Sequence, residues 1–212
     1  SEGDSRVAEG AQAMVDLRWR NGAARNHTGT HGLHAALRTV LGGHVRQQGS
    51  LVSPERLRFD FTHLEQTPRP ALIEVQQLAN EKVRHDLEVQ WRTTGYRQAV
   101  ESGALAFFGD KYGAEVRVVE IKDNDSTFSA ELCGGTHVHH TGEIGFLHIV
   151  RESAVAAGTR RLEAVSGRAA ETYLIEQQER ILRIAERLGT GPGEIEERLD
   201  AMQSELERLR KQ

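Results

Sequence analysis

Two pairs of candidate metal ligands with the same spacing lie far apart in the sequence. His27 and His31 stand four positions apart, and so do Cys133 and His137. Histidines four residues apart on a helix project from the same face, within reach of one ion. A Gly-Gly pair inside the second motif permits a tight loop that turns the thiolate and the imidazole toward one point. Because a thiolate combined with imidazoles favours tetrahedral zinc, the four residues predict a zinc site.

Each half of this site has an alternative interpretation. A histidine pair on its own is a common pattern, and a single cysteine is often a small buried hydrophobic residue. His34 lies on the same predicted helix face as His31 and is a competing ligand, although we expect it to be packed or hydrogen-bonded beneath the site. The agreement of two motifs with equal spacing favours zinc over these alternatives.

The composition is that of a polar globular protein, with 38% hydrophobic and 27% charged residues among 212. No run of about 18 apolar residues that could span a membrane occurs. Cys133 is the only cysteine, which excludes a disulfide within the chain and predicts a reducing, cytoplasmic environment. A net charge of -4 does not indicate nucleic-acid binding, yet 23 of the 27 basic residues are arginines. Arginine suits phosphate contacts, so a local basic patch stays open, although a GC-rich genome also produces arginine.

The hydrophobic pattern must supply the elements that position these residues. Period-two alternation predicts strands at 13–17, 57–62, 115–121, 128–132, 145–151 and 161–165. Apolar residues at helical spacing predict helices at 30–41, 70–91 and 97–107. We therefore expect an α+β fold in which a mainly antiparallel sheet packs with long helices.

The pattern changes after Gly167, where two charged helices are predicted at 168–188 and 192–211. The second has apolar residues at steps of four and three, the a/d pattern of a coiled coil: Ile195, Leu199, Met202, Leu206 and Leu209. A C-terminal helical hairpin or coiled coil is the prediction, pairing within the hairpin or between two chains as a homodimer. The expected organisation is a truncated tail of a preceding β module at 1–20, a zinc-containing domain at 21–167 and a helical connector at 168–212, together a fragment of a longer chain.

The motifs resemble the editing portion of alanyl-tRNA synthetases, or a freestanding relative of that editing domain. Two of the matching stretches read Arg-Asn-His-Thr-Gly-Thr-His at 25–31 and Glu-Leu-Cys-Gly-Gly-Thr-His-Val at 131–138. Further matches lie at 49–52, 57–61, 108–113, 141–145 and 158–165. Together they cover roughly residues 12–170 in the family's order, and the helices that follow resemble its connector to a C-terminal tRNA-binding domain. The Cys-Gly-Gly-Thr-His form separates the chain from the related threonyl-tRNA synthetase domain.

The resemblance implies that His27, His31, Cys133 and His137 hold zinc. It also implies that Thr30 and Gln47 are the catalytic residues that position and select the substrate, with Gln48 as the less well-spaced alternative to Gln47.

Other residues are candidates on their own chemistry. We place Gly134, Gly135, Arg58 and Asp60 at the substrate, although Asp60 could equally orient a ligand histidine or Arg58, or be a surface acid. Arg25, Arg160 and Arg161 are candidates for contacts with tRNA phosphates, against the default of solvated charge.

The implied reaction is hydrolysis of the ester on mischarged tRNA. A pocket for alanine excludes glycine or serine by only about 1–3 kcal/mol, so a second site must remove seryl and glycyl groups from tRNA(Ala). Zinc could activate water or position and polarise the aminoacyl group, and we favour the second role because four protein ligands make a closed site. The expected partners are tRNA(Ala) carrying Ser or Gly and the rest of the synthetase chain.

Two other functions compete with editing. The first is a non-catalytic structural zinc module whose helical tail serves tRNA docking or dimerisation. The second, a metallopeptidase, is disfavoured because Thr28 occupies the place of the general-base glutamate in the His-Glu-x-x-His motif.

Overall fold

The computed structural model describes residues 14–106 and 113–211, which divide into two units, Ser1–Ser166 and Gly167–Gln212. The described elements of the first unit follow one another as α1 (Leu17–Leu41), β1 (Gln47–Val52), β2 (Leu57–Thr62), α2 (Arg69–Arg84), β3 (Val89–Gly95), α3 (Tyr96–Glu101), β4 (Glu115–Asp123), β5 (Ser126–Leu132), β6 (Leu147–Ala156) and β7 (Thr159–Ser166). A short 3-10 helix at Thr141–Ile144 precedes β6.

The strands form two antiparallel sheets rather than one. The first has the order β1-β2-β7-β6, and the second has the order β3-β4-β5. Inward-facing residues of both sheets contribute to one core, including Phe59 and Phe61 from β2 and Val119 and Ile121 from β4. The predicted α+β class with antiparallel pairing is confirmed.

Helix α1 runs through the centre of this unit and is the element that carries the first ligand pair. The Asp16 side chain caps it by accepting hydrogen bonds from the backbone N–H groups of Arg18 and Trp19. Its middle portion contacts both sheets and α2, so that residues 28–31 are buried although three of the four are polar. A polar side chain that is buried needs a hydrogen-bond partner, and that partner holds the side chain in one rotamer.

Two predictions from the hydrophobic pattern are wrong at their boundaries. The strand expected at 13–17 is absent where the structure describes it, because residues 14–16 are irregular and Leu17 begins α1. The helix expected at 70–91 ends at Arg84, and Asp86 with a φ of 51° turns the chain into β3. Val83 and Leu87 continue the helical spacing, but Leu87 and Val89 also fit the period of a strand. Leu87 and Val89 are both buried in the hydrophobic core.

The remaining predictions in this unit differ mainly in length. The helix predicted at 30–41 starts earlier, at Leu17, and the helix predicted at 97–107 is the shorter α3, with residue 107 outside the described part. The family-like stretch at 108–113 also lies outside it except for Gly113.

The second unit consists of two helices, α4 (Gly167–Leu188) and α5 (Ile195–Arg210), joined by a turn with a 3-10 helix at Pro192–Glu194. The helices contact each other, and the Arg198 guanidinium donates to the carbonyl of Leu188 across the turn. The predicted C-terminal helices are confirmed. Their apolar positions Leu199, Met202, Leu206 and Leu209 are 38–55% exposed. Over the described residues of both units, no helix combines the length and hydropathy needed to cross a bilayer.

Candidate metal centre

The first ligand pair is held by the fixed position of α1. Asn26 donates from its amide to the carbonyls of Ser53 and Pro54, in the turn after β1, and accepts from the hydroxyl of Ser166 at the end of β7. This buried amide fastens the helix one residue before His27. Because one turn separates His27 from His31, the two imidazoles project toward the same point, and their ring centroids are 5.5 Å apart.

The second pair comes from the loop that follows β5. The backbone N–H of Cys133 donates to the carbonyl of Arg117 on the neighbouring strand, so the cysteine is still fixed by the sheet. The chain then turns back through Gly134 and Gly135 to His137. The backbone N–H of Gly135 lies 3.5 Å from the Cys133 Sγ, a contact that favours the thiolate.

The structure brings all four predicted ligands together. Their ligand atoms lie within 4.8 Å of one another, and the Cys133 Sγ is 3.3 Å from His27 Nε2 and 3.4 Å from His137 Nε2. A zinc ion with bonds of about 2.0–2.3 Å to nitrogen and sulfur has tetrahedral ligand edges of about 3.3–3.6 Å. The group could therefore hold a metal ion, and both its donor set and these two edges fit zinc.

Burial controls the protonation of the group when no ion is bound. Burial, followed by the charge of neighbouring His31, lowers the pKa of His27 to about 4 and that of His137 to about 2. Burial also lowers the pKa of His31 and raises the pKa of the Cys133 thiol. The imidazoles are thus neutral with free lone pairs at neutral pH, and a metal ion that binds the thiolate displaces a proton.

A buried carboxylate lies directly behind His31. Glu131 is 4% exposed, and its Oε1 is 2.9 Å from the Nδ1 of His34 and 3.4 Å from the hydroxyl of Ser129. Its Oε2 is 3.6 Å from the Nδ1 of His31. Burial alone would raise the pKa of Glu131, but the charge of His31 and the hydrogen bond from His34 lower it below its usual value. The carboxylate is therefore an anion next to a site for a cation, and His34 lies beneath the site as expected.

A buried hydroxyl orients His137. The Thr28 hydroxyl donates to the carbonyl of Ala24, accepts the backbone N–H of Val138, and is 3.1 Å from the Nδ1 of His137. With its one hydrogen on Ala24, its second lone pair can accept only from a protonated Nδ1. The Nε2 of His137, which faces Cys133, then keeps the lone pair that a metal requires.

One of the four candidate ligands, His137, lines a cleft of about 400 Å³. The other lining residues come from α1, from strands β3 and β4, from the loop after β5 and from the 3-10 helix: Arg20, Asn21, Ala24, Arg25, Trp91, Arg117, Gly134, Gly135, Thr136, Val138, His139 and Glu143. Three arginines against one carboxylate make this cleft basic within a chain of net charge -4. Gly134, Gly135 and Arg25 line this cleft, and their roles in binding substrate and tRNA stay predictions.

Thr30 and Gln47 occupy different environments. Thr30 is 4% exposed, and its hydroxyl donates to the carbonyl of Asn26 at 2.8 Å, which leaves its lone pairs as acceptors. Gln47 begins β1 at an irregularity of the β1–β2 pairing, and its amide donates to the Ser50 hydroxyl. Gln48 follows it and is exposed. The roles of Thr30 and of Gln47 in positioning the substrate stay predictions.

The remaining predicted residues pair with one another on the first sheet. Arg161 makes a two-pronged ion pair with Asp60 at 2.7 and 2.8 Å, and the Arg58 Nε is 3.7 Å from Asp60. Arg160, on the opposite face of β7, makes the same kind of pair with Glu152. These contacts give Asp60 a cationic partner rather than a ligand histidine. None of these residues is among those that line the basic cleft.

Sequence reasoning missed Glu131, Trp91 and Arg117 as site residues, and treated Thr28 only as a missing glutamate. Glu131 stands two residues before Cys133, so strand alternation could have indicated that its side chain points toward the same core. Thr28, Trp91 and Arg117 offered no signal. Trp91 and Arg117 reach the cleft only through the pairing of β3 with β4, and Thr28 meets His137 only in the folded chain.

The chain is similar to known aminoacyl-tRNA synthetases. Residues 116–163 match the family described as the threonyl and alanyl tRNA synthetase second additional domain. The chain is 48% identical over 97% of its length to an alanine–tRNA ligase of Chloroflexus aurantiacus and covers 24% of that protein. It is 49% identical over 97% of its length to the Thermus thermophilus alanine–tRNA ligase, of which it covers 23%. The chain thus spans about a quarter of the length of the curated relatives it matches.

Proposed function

Since this chain belongs to the alanine–tRNA ligase family, we propose that it is the editing part of such a synthetase and hydrolyses the aminoacyl ester of mischarged tRNA(Ala). The observation that carries the proposal is the group of three histidines and one cysteine beside an arginine-lined cleft. The substrates are seryl- and glycyl-tRNA(Ala), and the remainder of the synthetase is the partner that attaches alanine. The cytoplasm, which keeps thiols reduced, is the expected place of action.

The need for such an activity follows from the size of the amino acids. A binding pocket for alanine gains only about 1–3 kcal/mol of selectivity against serine or glycine, too little for accurate translation. A second site that hydrolyses the esters of serine and glycine supplies the selectivity that the binding pocket lacks. In the reaction, water adds to the ester carbonyl, the bond to the ribose oxygen breaks, and the products are free serine or glycine and uncharged tRNA.

His27, His31, Cys133 and His137 are the residues that would hold zinc. When bound, zinc supplies a Lewis acid that can position and polarise the aminoacyl group. Glu131 holds His34 and faces His31, so the buried ligand face carries a compensating negative charge. Thr28 fixes the tautomer of His137.

The cleft supplies binding, and selection is assigned to two residues that do not line it, Thr30 and Gln47. Arg25, which lines the cleft, contacts backbone phosphates of the tRNA. The glycine loop leaves room for the aminoacyl end, because Gly134 has open space where a side chain would be. We assign selection of serine to Thr30, whose free lone pairs can accept the hydroxyl hydrogen that alanine lacks. Gln47 is assigned a role in selection on the family resemblance alone.

Deacylation of Ser-tRNA(Ala), Gly-tRNA(Ala) and Ala-tRNA(Ala) tests the proposal. We expect hydrolysis of the first two, protection of the third, and loss of hydrolysis on removal of the metal by a chelator. Equal slow hydrolysis of all three would contradict editing. Cys133→Ala and His31→Ala distinguish a structural module, because a structural site melts the fold on substitution whereas an editing site loses hydrolysis with the fold retained.

The exposed apolar positions of α5 support a second proposal about assembly. Leu199, Met202, Leu206 and Leu209 form the seam that would pair with the same seam of another chain as a homodimer. Sedimentation of the chain and of a Leu206→Glu variant tests it: a concentration-dependent dimer that the variant abolishes is expected, and a monomer at all concentrations contradicts it.

A further inference from the structure

A tryptophan lies exposed in the basic cleft and has no role in the site described so far. Trp91 is 42% exposed on β3, an edge strand of the second sheet, and its indole lines the cleft together with His137. Large apolar side chains are usually buried, so an exposed indole in a concave site indicates a surface that a ligand covers.

Two neighbours hold this indole in a fixed orientation. The guanidinium of Arg117, on the adjacent strand, is 5.0 Å from the ring centroid of Trp91, a cation–π distance. The ring of His139 is 5.1 Å away at an angle of 45°. A side chain held on two sides loses little freedom when a ligand binds to its remaining surface.

The same two neighbours connect the indole to the ligand loop. Arg117 donates to the carbonyl of Gly135, between Cys133 and His137. The backbone N–H of Val89, two residues before Trp91, donates to the carbonyl of His139 at 2.8 Å. Trp91 and the ligand loop therefore form one rigid wall of the cleft.

The cleft also carries positive charge. Arg20 and Arg25 of α1 line it, and Glu143 is the one carboxylate among the described lining residues. Its Oε1 accepts the backbone N–H groups of His139 and His140, which holds the carboxylate against its own loop. The cleft thus combines an aromatic face with guanidinium groups, the combination that binds a single-stranded nucleic acid through a base and its phosphates.

We propose that Trp91 is the stacking platform for the base of the 3′-terminal nucleotide of an RNA single strand, with Arg20 and Arg25 on the adjoining phosphates. This inference rests on the proposed function, whose substrate carries its ester on the ribose of that nucleotide. In the terminal nucleotide the ribose carries the base on one side and the ester on the other. Trp91 and the ligand His137 line the same cleft, so the base can lie on Trp91 while the ester lies near the metal ligands. Stacking tolerates any base, so Trp91 orients the terminal nucleotide and the amino acid alone decides selection.

A binding experiment without hydrolysis tests the platform. In a Trp19→Phe background, Trp91 is the single tryptophan, and a stacked base quenches its fluorescence. The probes are an uncharged RNA hexanucleotide ending in adenosine and the same strand with an abasic 3′ end. We expect quenching by the first and about 10- to 100-fold weaker binding of the second. Equal binding of both strands without quenching would overturn the proposal, because the cleft would then hold only phosphates.

A kinetic experiment separates the platform from editing itself. With Ser-tRNA(Ala), Trp91→Ala should raise KM about 10-fold or more with a smaller change in kcat, and Trp91→Phe should restore most of the loss. Trp19→Phe is the control, and metal content and circular dichroism check the fold of each variant. Normal KM for Trp91→Ala overturns the platform but leaves editing intact. Absence of hydrolysis in the unaltered chain refutes editing, and the quenching experiment still decides whether Trp91 stacks on a base.

Discussion

Gly135 lies directly against the imidazole of His27. A β-carbon on Gly135 would stand 1.9 Å from the Cε1 of that ring, a distance that no side chain can adopt. The neighbouring Gly134 has no atom within 4 Å of the same position. The two glycines of the ligand loop therefore have different reasons to lack a side chain: one lets the loop approach His27, and the other leaves space in the cleft.

Gly135→Ala should displace the His27 ring and lower metal affinity by about 10- to 100-fold, the effect typical of disturbing the support of a ligand. Gly134→Ala is the matched control, with an added methyl group of the same size in open space, and should bind metal as the unaltered chain does. Titration with zinc against a chromophoric chelator measures both. Equal affinities of the two variants would show that the loop moves freely away from His27.

Glu131→Gln should weaken metal binding by about 10- to 100-fold, because the amide keeps the shape of the carboxylate but loses its charge behind His31. The free energy of unfolding should also fall by about 1.5–3 kcal/mol, since the hydrogen bond to His34 loses its charged acceptor. Urea denaturation of the metal-free and zinc-loaded protein measures both effects.

Glu120→Gln is the control for that substitution, because Glu120 lies on the same sheet and pairs with two side chains that reach the surface, Arg92 and Lys122. Such surface pairs contribute about 0–1 kcal/mol, so the control should stay close to the unaltered chain. If Glu131→Gln were as mild as Glu120→Gln in both measurements, the carboxylate would have no part in the metal centre.

Thr28→Val removes the hydroxyl that accepts from the His137 Nδ1–H and from the Val138 N–H, and leaves two donors buried. We expect a loss of about 1–3 kcal/mol in the free energy of unfolding and weaker zinc binding. Thr39→Val is the control on the same helix, since Thr39 also donates to the carbonyl four residues earlier but is exposed. Equal stability and affinity of the two variants would contradict the role given to Thr28.

Arg25→Gln should weaken binding of tRNA by a similar factor whatever amino acid it carries, because a phosphate contact does not read the acyl group. The slope of log K against log salt should fall by about 1. Arg84→Gln, at the exposed end of α2, is the control and should leave the slope unchanged. Filter binding of uncharged tRNA(Ala) over a range of salt concentrations provides the measurement, and an unaltered slope for Arg25→Gln would remove it from the cleft's tRNA contacts.

The predicted boundaries of helices and strands are wrong where the same apolar residues fit both the helical and the strand period. Val83, Leu87 and Val89 satisfy a helix and a strand in turn, and only the positive φ of Asp86 decides where α2 stops. At the other end of the domain, Met14, Val15 and Leu17 alternate as in a strand, yet all three are more than half exposed, and Asp16 caps a helix instead. Alternation of apolar and polar residues along a segment does not show whether a neighbouring strand is present for that segment to pair with.

The sequence by itself determined the candidate ligand set and the α+β class, since a pair of candidate ligands four residues apart on a helix or in a glycine loop is defined by local geometry. Tertiary structure alone decided what surrounds that set. Glu131 meets His34, Gly135 meets His27, and Trp91 meets Arg117 across separations of 97, 108 and 26 positions. Such contacts depend on how α1 packs between the sheets and on strand register, and a pattern read along the chain contains neither.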